Sequence, residues 1–156
     1  MAVMQVSRKI DYALRAVIHL ANEESRTRAC SVAEIAARER APRHFLEKII
    51  QQLIHSGLVR SRRGPRGGYV LARPAEDVTF RDVIEAVEGP ISLNVCVGEH
   101  AECFLMGACG MNRVWVEGQR RVMELFEGTT IASVRHPRPG HCHAQRAPDP
   151  KIVPSY

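Results

Sequence analysis

The run Leu58 to Ala72 constrains the fold more than any other part of this chain. Leu58-Val59-Arg60-Ser61-Arg62 reads as a strand, Arg63-Gly64-Pro65-Arg66-Gly67-Gly68 as a Gly/Pro turn, and Tyr69-Val70-Leu71-Ala72 as a second strand. A β-hairpin needs a surface to pack on, and helical periodicity supplies one immediately upstream. Residues 9–22 place Ile10, Ala13, Leu14, Val17, Leu20 and Ala21 on one helical face. After a polar linker over Glu23–Ala29, Ser31 sits three residues before Glu34, a capping-box pattern that opens a second helix ending at Glu39. Pro42 suits the first turn of a third helix, which runs to about Ser56 and stops at Gly57. Its buried stripe is Phe45, Leu46, Ile49, Ile50, Leu53 and Ile54. Two short helices joined by a tight turn after a longer one form a helix-turn-helix, and the basic hairpin behind them is a wing.

The expected fold is therefore mainly α with a small β-hairpin: a winged helix-turn-helix domain over residues 1–78. A further helix follows over 79–89, capped by Thr79 and closed by Gly89-Pro90. A long helix then carries the stripe Met111, Val114, Trp115, Gly118, Val122, Leu125 and Phe126. Such a stripe beyond a complete small domain needs a partner surface, and a second copy of the chain is the simplest one. Residues 79–134 are read as a cysteine-bearing loop with dimerisation helices, and Trp115 as dimer core. Residues 135–156, rich in Pro and His, are read as a disordered tail.

Charge locates the function. Residues 1–78 hold 14 Lys and Arg against 8 Asp and Glu, while the remainder holds 8 against 9. A basic front half on a nearly neutral back half is the footprint of nucleic-acid binding. In a helix-turn-helix the second helix enters the major groove, and here its exposed face carries Arg43, His44, Glu47, Lys48 and Gln51. Arg and Lys donate to guanine and Gln pairs with adenine, although the same residues would also suit a merely solvated face. Arg60, Arg62, Arg63 and Arg66 fall within seven positions on the wing, where guanidinium groups meet phosphates or a narrow minor groove. Gly67 belongs to the same surface, since glycines there permit close backbone approach to a duplex. The expected partner is double-stranded DNA with a palindromic operator, bound by a homodimer.

Three of the five cysteines, Cys96, Cys103 and Cys109, lie in a short stretch with spacing C-x6-C-x5-C. No secretory signal precedes them and no run is long enough to span a membrane, so a cytoplasmic location is expected. In that compartment an odd number of cysteines points to metal or thiol chemistry rather than disulfides. Thiolates suit zinc, copper(I) or iron–sulfur clusters. No residue pattern orients a Cys/His pair for nucleophilic catalysis, so an enzyme is not expected.

With Ile10-Asp11-Tyr12-Ala13-Leu14-Arg15, Phe45-Leu46-Glu47-Lys48-Ile49-Ile50, Gly64 through Ala72 and the three cysteines in this order, the chain resembles the Rrf family of bacterial regulators. The resemblance spans about residues 4–134. It implies a dimeric winged-helix transcription factor, a repressor that senses nitric oxide, redox state or iron through an iron–sulfur cluster held by Cys96, Cys103 and Cys109. Two ligand patterns occur in the family. In NsrR-like members an aspartate near the start of the first helix of the other subunit completes the cluster, and Asp11 occupies the matching place. In IscR-like members a histidine lies three residues after the third cysteine, where this chain has Asn112. The first cysteine spacing is one residue longer than is common in the family. Three cysteines with Asp11 lean towards 4Fe–4S, with 2Fe–2S as the other nuclearity. The alternative is a winged-helix regulator with structural zinc, or one controlled through thiols or a partner protein.

Four other readings stay open. Asp11 stands at the i,i+4 spacing from Arg15 and suits a surface ion pair. Cys30 is read as a small packing residue. His100 is an alternative fourth ligand. His141-Cys142-His143 has metal-binding atoms in a tail without a scaffold.

Overall fold

The structure is a computed structural model that describes residues 6–24, 28–98, 103 and 108–135. His100 and His141-Cys142-His143 lie outside the described residues, as does most of the segment read as a tail. The elements in chain order are α1 (Arg8–Glu24), α2 (Val32–Glu39), α3 (Arg43–His55), β1 (Val59–Arg62), β2 (Gly68–Leu71), α4 (Phe80–Glu88) and α5 (Asn112–Gly128). Single 3-10 turns occupy Ala75–Asp77 and Ala132–Val134. No helix among the described residues is long and apolar enough to cross a membrane.

Local chemistry explains the boundaries. Ser31 caps α2, its hydroxyl accepting from the Glu34 N–H at 3.2 Å. The turn to α3 is made by Arg40 in the left-handed region (φ 51°) and closed by the Ala41 N–H on the Ala36 carbonyl at 3.0 Å. Pro42 takes the position just before the first helical residue, where its missing N–H costs nothing. The hairpin is antiparallel with Val59 opposite Leu71 and Arg62 opposite Gly68.

The helix-turn-helix closes over a core of Ala13, Ala16, Val17, Leu20, Ile35, Leu46, Ile49, Ile50 and Leu53, joined by Leu58, Val59 and Leu71 from the hairpin. That core does not stop at residue 78. Val83 and Val87 of α4 and Ile131 beyond α5 belong to the same buried cluster. The returning chain is stitched on by the Phe80 N–H to the Thr129 carbonyl and the Ile131 N–H to the Val78 carbonyl, both 2.8 Å. The cap of α4 sits at this seam. The Thr79 hydroxyl accepts from the Asp82 N–H at 3.1 Å, and the Asp82 carboxylate accepts from the Thr79 N–H at 3.0 Å. Thr79→Ala is expected to destabilise the fold by about 1 kcal/mol, read by urea unfolding. An unchanged midpoint would show that the cap is not used.

Helix α5 differs from the others in having no buried residue. Its inner side is held by Phe126 against Phe80, with ring centroids 5.7 Å apart. The Gln119 amide adds two bonds, donating to the Ile91 carbonyl at 2.7 Å and accepting from the Leu93 N–H at 2.9 Å. Glu117 pairs with Arg120 and Arg121, each at 2.7 Å, which supports the solvent side. Met111 and Val114 of the expected stripe stand 63% and 71% exposed, and Leu125 64%. The face is built but uncovered within one chain.

Candidate functional site: a DNA-reading groove and a three-cysteine cavity

Helices α2 and α3 and strand β2 enclose a concave groove of about 720 Å³. Arg43, His44, Glu47, Lys48 and Gln51 line one side, and Ser31, Val32, Gly68 and Tyr69 line the other. Four of the residues expected to read DNA, Arg43, His44, Lys48 and Gln51, therefore share one surface, and all four are exposed. Arg43 is braced by Glu47 at 3.0 Å, a pair on the solvent side that an incoming phosphate would compete for. Arg60, Arg62, Arg63 and Arg66 stand exposed on the hairpin and its turn, outside the groove walls.

Sequence pattern does not place Ser31 and Tyr69 in the groove. Their position follows from pairing between distant segments. The Cys30 N–H donates to the Tyr69 carbonyl at 3.0 Å, and the Tyr69 N–H returns a bond to the Cys30 carbonyl at 2.8 Å. These bonds sew the wing to the start of α2.

The wing glycines serve its own backbone first. A Cβ on Gly67 would lie 2.5 Å from the Arg62 carbonyl oxygen, and one on Gly68 would lie 2.6 Å from that of Cys30. Gly68 also holds φ +154°. The absence of a side chain at 67 and 68 is thus required for the hairpin to close and to reach Cys30, whether or not a duplex is present.

The second feature is a cavity of about 100 Å³ lined by Asn94, Val95, Cys96, Cys103, Cys109, Met111, Asn112 and Trp115. All three cysteines of the C-x6-C-x5-C stretch open onto it, and each is half-buried. Trp115, read from sequence as dimer core, forms part of this wall. One helical turn at the start of α5 carries both the end of the cysteine loop and the indole, the Asn112 N–H bonding the Cys109 carbonyl at 3.2 Å. A second group with metal-ligand atoms gathered together is His19, Cys30 and Glu34, whose ligand atoms lie within 4.8 Å of one another.

Asp11 is not on the cavity wall of its own chain. It accepts from Arg15 at 3.1 Å, the i,i+4 pair that the sequence allowed. Cys30 is fully buried, as packing requires, but beside a polar neighbour. His19, 8% exposed, donates from Nδ1 to the Glu39 carboxylate at 3.2 Å, while its Nε2 lies beside Cys30 with no oxygen or nitrogen partner. Cys30, the larger influence, and Glu39 together push the His19 imidazole up to about 9, against the opposing effect of burial.

Comparisons with known proteins agree with this geometry. The Rrf2 family model, described as an iron-dependent transcriptional regulator, matches residues 6–137. An rrf2-like HTH-type transcriptional regulator of Rhodobacter capsulatus is 32% identical over 133 residues, covering 81% of this chain and 89% of that protein. The HTH-type regulator CymR of Bacillus subtilis is 34% identical over 128 residues, covering 82% of this chain and 87% of CymR. Among solved structures, CymR of B. subtilis, the global cysteine regulator, superposes with a TM-score of 0.71 at 28% identity, covering 85% of this chain and 97% of that one. IscR of T. potens superposes with a TM-score of 0.69 at 28% identity, covering 83% and 85%. A winged helix-turn-helix with a basic reading groove, matched over nearly all its described length by regulators of transcription and by no enzyme among these, is a DNA-binding regulator: the chain belongs to the Rrf2 family of transcriptional regulators.

Proposed function

We propose that this regulator is a homodimer that represses transcription from palindromic operators while an iron–sulfur cluster is held by Cys96, Cys103 and Cys109. The observation that carries the proposal is the convergence of all three cysteines on one cavity. Three thiolates around one small cavity suit an iron–sulfur cluster, and they also suit a single zinc ion, which the metal assay below distinguishes. A cluster bound there supplies a redox- and nitric-oxide-sensitive centre whose iron can be lost when iron is scarce. Trp115 and Met111 give the cavity an apolar wall that limits water around such a centre.

The fourth ligand is Asp11 of the partner subunit. A carboxylate is a harder ligand than a thiolate and holds iron less firmly, which leaves one corner of the cluster open to attack. The Asp11–Arg15 pair is solvent-exposed and weak enough to exchange for a metal. An Asp11→Ala protein with an unchanged spectrum and an unchanged DNA response would remove this assignment.

The deciding measurement is an absorption spectrum of anaerobically purified protein, with iron, sulfide and zinc assayed on the same sample. A broad band near 400 nm (roughly the sulfur-to-iron charge-transfer region) with about four irons and four sulfides per chain fits a 4Fe–4S centre. Two irons and a multi-peaked spectrum would make it 2Fe–2S. Colourless protein with stoichiometric zinc at the three cysteines would replace the cluster by structural zinc. Likeness to CymR, the global cysteine regulator of B. subtilis, gives control through thiols its own footing as the second reading. That reading takes over if reconstitution yields neither iron nor zinc.

The division of labour on DNA has its own test. Lys48→Ala and Arg63→Ala should each weaken binding to all sequences alike. Each should also lower the slope of log K against log salt by about 0.9 for every phosphate no longer neutralised. Gln51→Ala should instead relax the preference at one base pair. Equal salt slopes for wild type and both basic variants would show that these cations do not meet phosphate.

A further inference from the structure

We propose that His19, Cys30 and Glu34 form a second metal site, for zinc, inside the winged-helix domain and separate from the three-cysteine cavity. Their ligand atoms lie within 4.8 Å of one another. The three come from different places in the chain: His19 from α1, Cys30 from the segment entering α2, and Glu34 from the first turn of α2. Imidazole, thiolate and carboxylate are all zinc donors, and shortening the bonds to 2.0–2.3 Å (roughly, by donor type) asks each group to close by about 1 Å at most.

Two features of His19 point to an ion rather than to chance proximity. Its Nε2 is buried beside the Cys30 sulfur and reaches no oxygen or nitrogen partner, in a place where an unsatisfied polar atom is costly. Its other nitrogen, Nδ1, is engaged by Glu39 at 3.2 Å. A carboxylate on the far nitrogen of a ligating histidine fixes its tautomer and aims the free nitrogen at the metal. Charge is also suited. With Cys30 as thiolate and Glu34 ionised, Zn²⁺ neutralises its own ligands, and the remaining charge is that of the partly exposed Glu39 carboxylate behind His19. Arg28, which pairs with Glu34, is exposed, and an exposed pair of this kind yields readily as the carboxylate turns inward. Glu34 is the most exposed of the three and marks the way in, leaving the fourth position for water.

The site has a consequence for reading DNA. Cys30 is the residue to which the wing is sewn through Tyr69, and Ser31, Gly68 and Tyr69 line the groove. Zinc would tie α1, the start of α2 and the wing at one point directly behind that surface. Occupancy would hold the wing at a fixed angle to α3, making zinc a second input to operator binding.

The test uses the full-length chain with Cys96, Cys103 and Cys109 replaced by Ala, reduced and stripped of metal, so that the other cavity contributes no thiolate. Zinc is added and bound metal is counted after gel filtration, with Co²⁺ as a parallel spectroscopic probe. The expected result is one zinc per chain and a cobalt complex with sulfur-to-metal absorption. Adding Cys30→Ala should abolish both. Adding Glu34→Gln, at a partly exposed position whose backbone N–H still meets the Ser31 cap, should weaken zinc at least tenfold. Glu39→Gln should weaken it about 10–100-fold. No bound zinc in the triple variant would overturn the site. So would zinc bound equally after Glu34→Gln and Cys30→Ala, which would place it elsewhere in the chain. Should Cys30→Ala fail to fold, Glu34→Gln and Glu39→Gln decide the question. Neither result bears on the three-cysteine cluster, which is absent from every protein in the series.

Discussion

Replacing Cys96, Cys103 or Cys109 singly with Ala is expected to remove the iron, the sulfide and the visible absorption band together, because the proposed cluster, held by three thiolates and one carboxylate, would be left with two thiolates. The fold should persist. The three cysteines line a loop cavity and belong to no part of the buried cluster centred on α1, α3 and α4. Thermal unfolding of the variants should therefore match that of wild-type apo-protein. Trp115 supplies an independent readout, since it is the chain's one tryptophan and stands on the cavity wall. Its fluorescence should be quenched in the cluster-bound protein and should rise when the cluster is destroyed or any ligand is replaced. Operator affinity should fall by about 5–150-fold, the range of a coupling of roughly 1–3 kcal/mol between two sites. Cysteine variants that bind operator as tightly as the cluster-loaded protein would show that the cluster is not the switch, even if it is present.

The coupling has a physical route. The cysteine loop lies between α4 and α5, and both helices are anchored to the reading domain. Val83 and Val87 of α4 pack in its core, and Ile131 just beyond α5 returns to it. Gln119 of α5 grips the loop's first residues through Ile91 and Leu93. A change in the loop is thereby felt by the helix that carries the uncovered apolar face.

How much of this is legible in the sequence depends on the range of the interaction concerned. Ser31, Thr79 and the turn glycines act within four residues of themselves, so helix starts and the hairpin follow from local pattern. Helical periodicity places Arg43, His44, Lys48 and Gln51 on one face, and that face lines the groove. Pairings between distant segments leave no such trace. Nothing near Cys30 announces that Tyr69 will pair with it, or that Gly68 is small because the Cys30 carbonyl lies against it. Likewise His19 sits on the core side of an amphipathic helix with no signal that Glu39 and Cys30 await it. Trp115 shows the limit of a stripe: periodicity groups residues 114 and 115 as partner-facing, yet one points to solvent and the other to the cysteines. A period of 3.6 residues assigns a face but does not say which of two adjacent surfaces will claim its edge. A boundary at residue 78 marks where the wing ends, whereas buried packing continues into α4, whose Val83 and Val87 join the cluster built on α1 and α3.

Leu125→Asp and Val114→Asp are expected to convert the proposed dimer to a folded monomer and to lower operator affinity by at least about a hundredfold, since two linked half-site contacts would become one. Both side chains are largely exposed in the single chain, at 64% and 71%, so a carboxylate there leaves the monomer's packing untouched. In a dimer each would be buried against its symmetry mate, where an unpaired carboxylate costs several kcal/mol. Met111, 63% exposed, extends the same line just before α5, whereas Gly118 lies against Leu93 of its own chain. Symmetry would set two reading grooves on half-sites about 34–36 Å apart, and losing it should convert cooperative binding of the palindrome into weak, independent binding of each half. Sedimentation velocity and operator titration on the same preparations check both halves of the expectation. A dimeric Leu125→Asp protein with wild-type affinity would move the interface off this face of α5. If the variant is monomeric and also loses its cluster, the carboxylate ligand comes from the partner subunit, as Asp11 is proposed to do. A monomer that keeps its cluster would instead place the fourth ligand within the same chain.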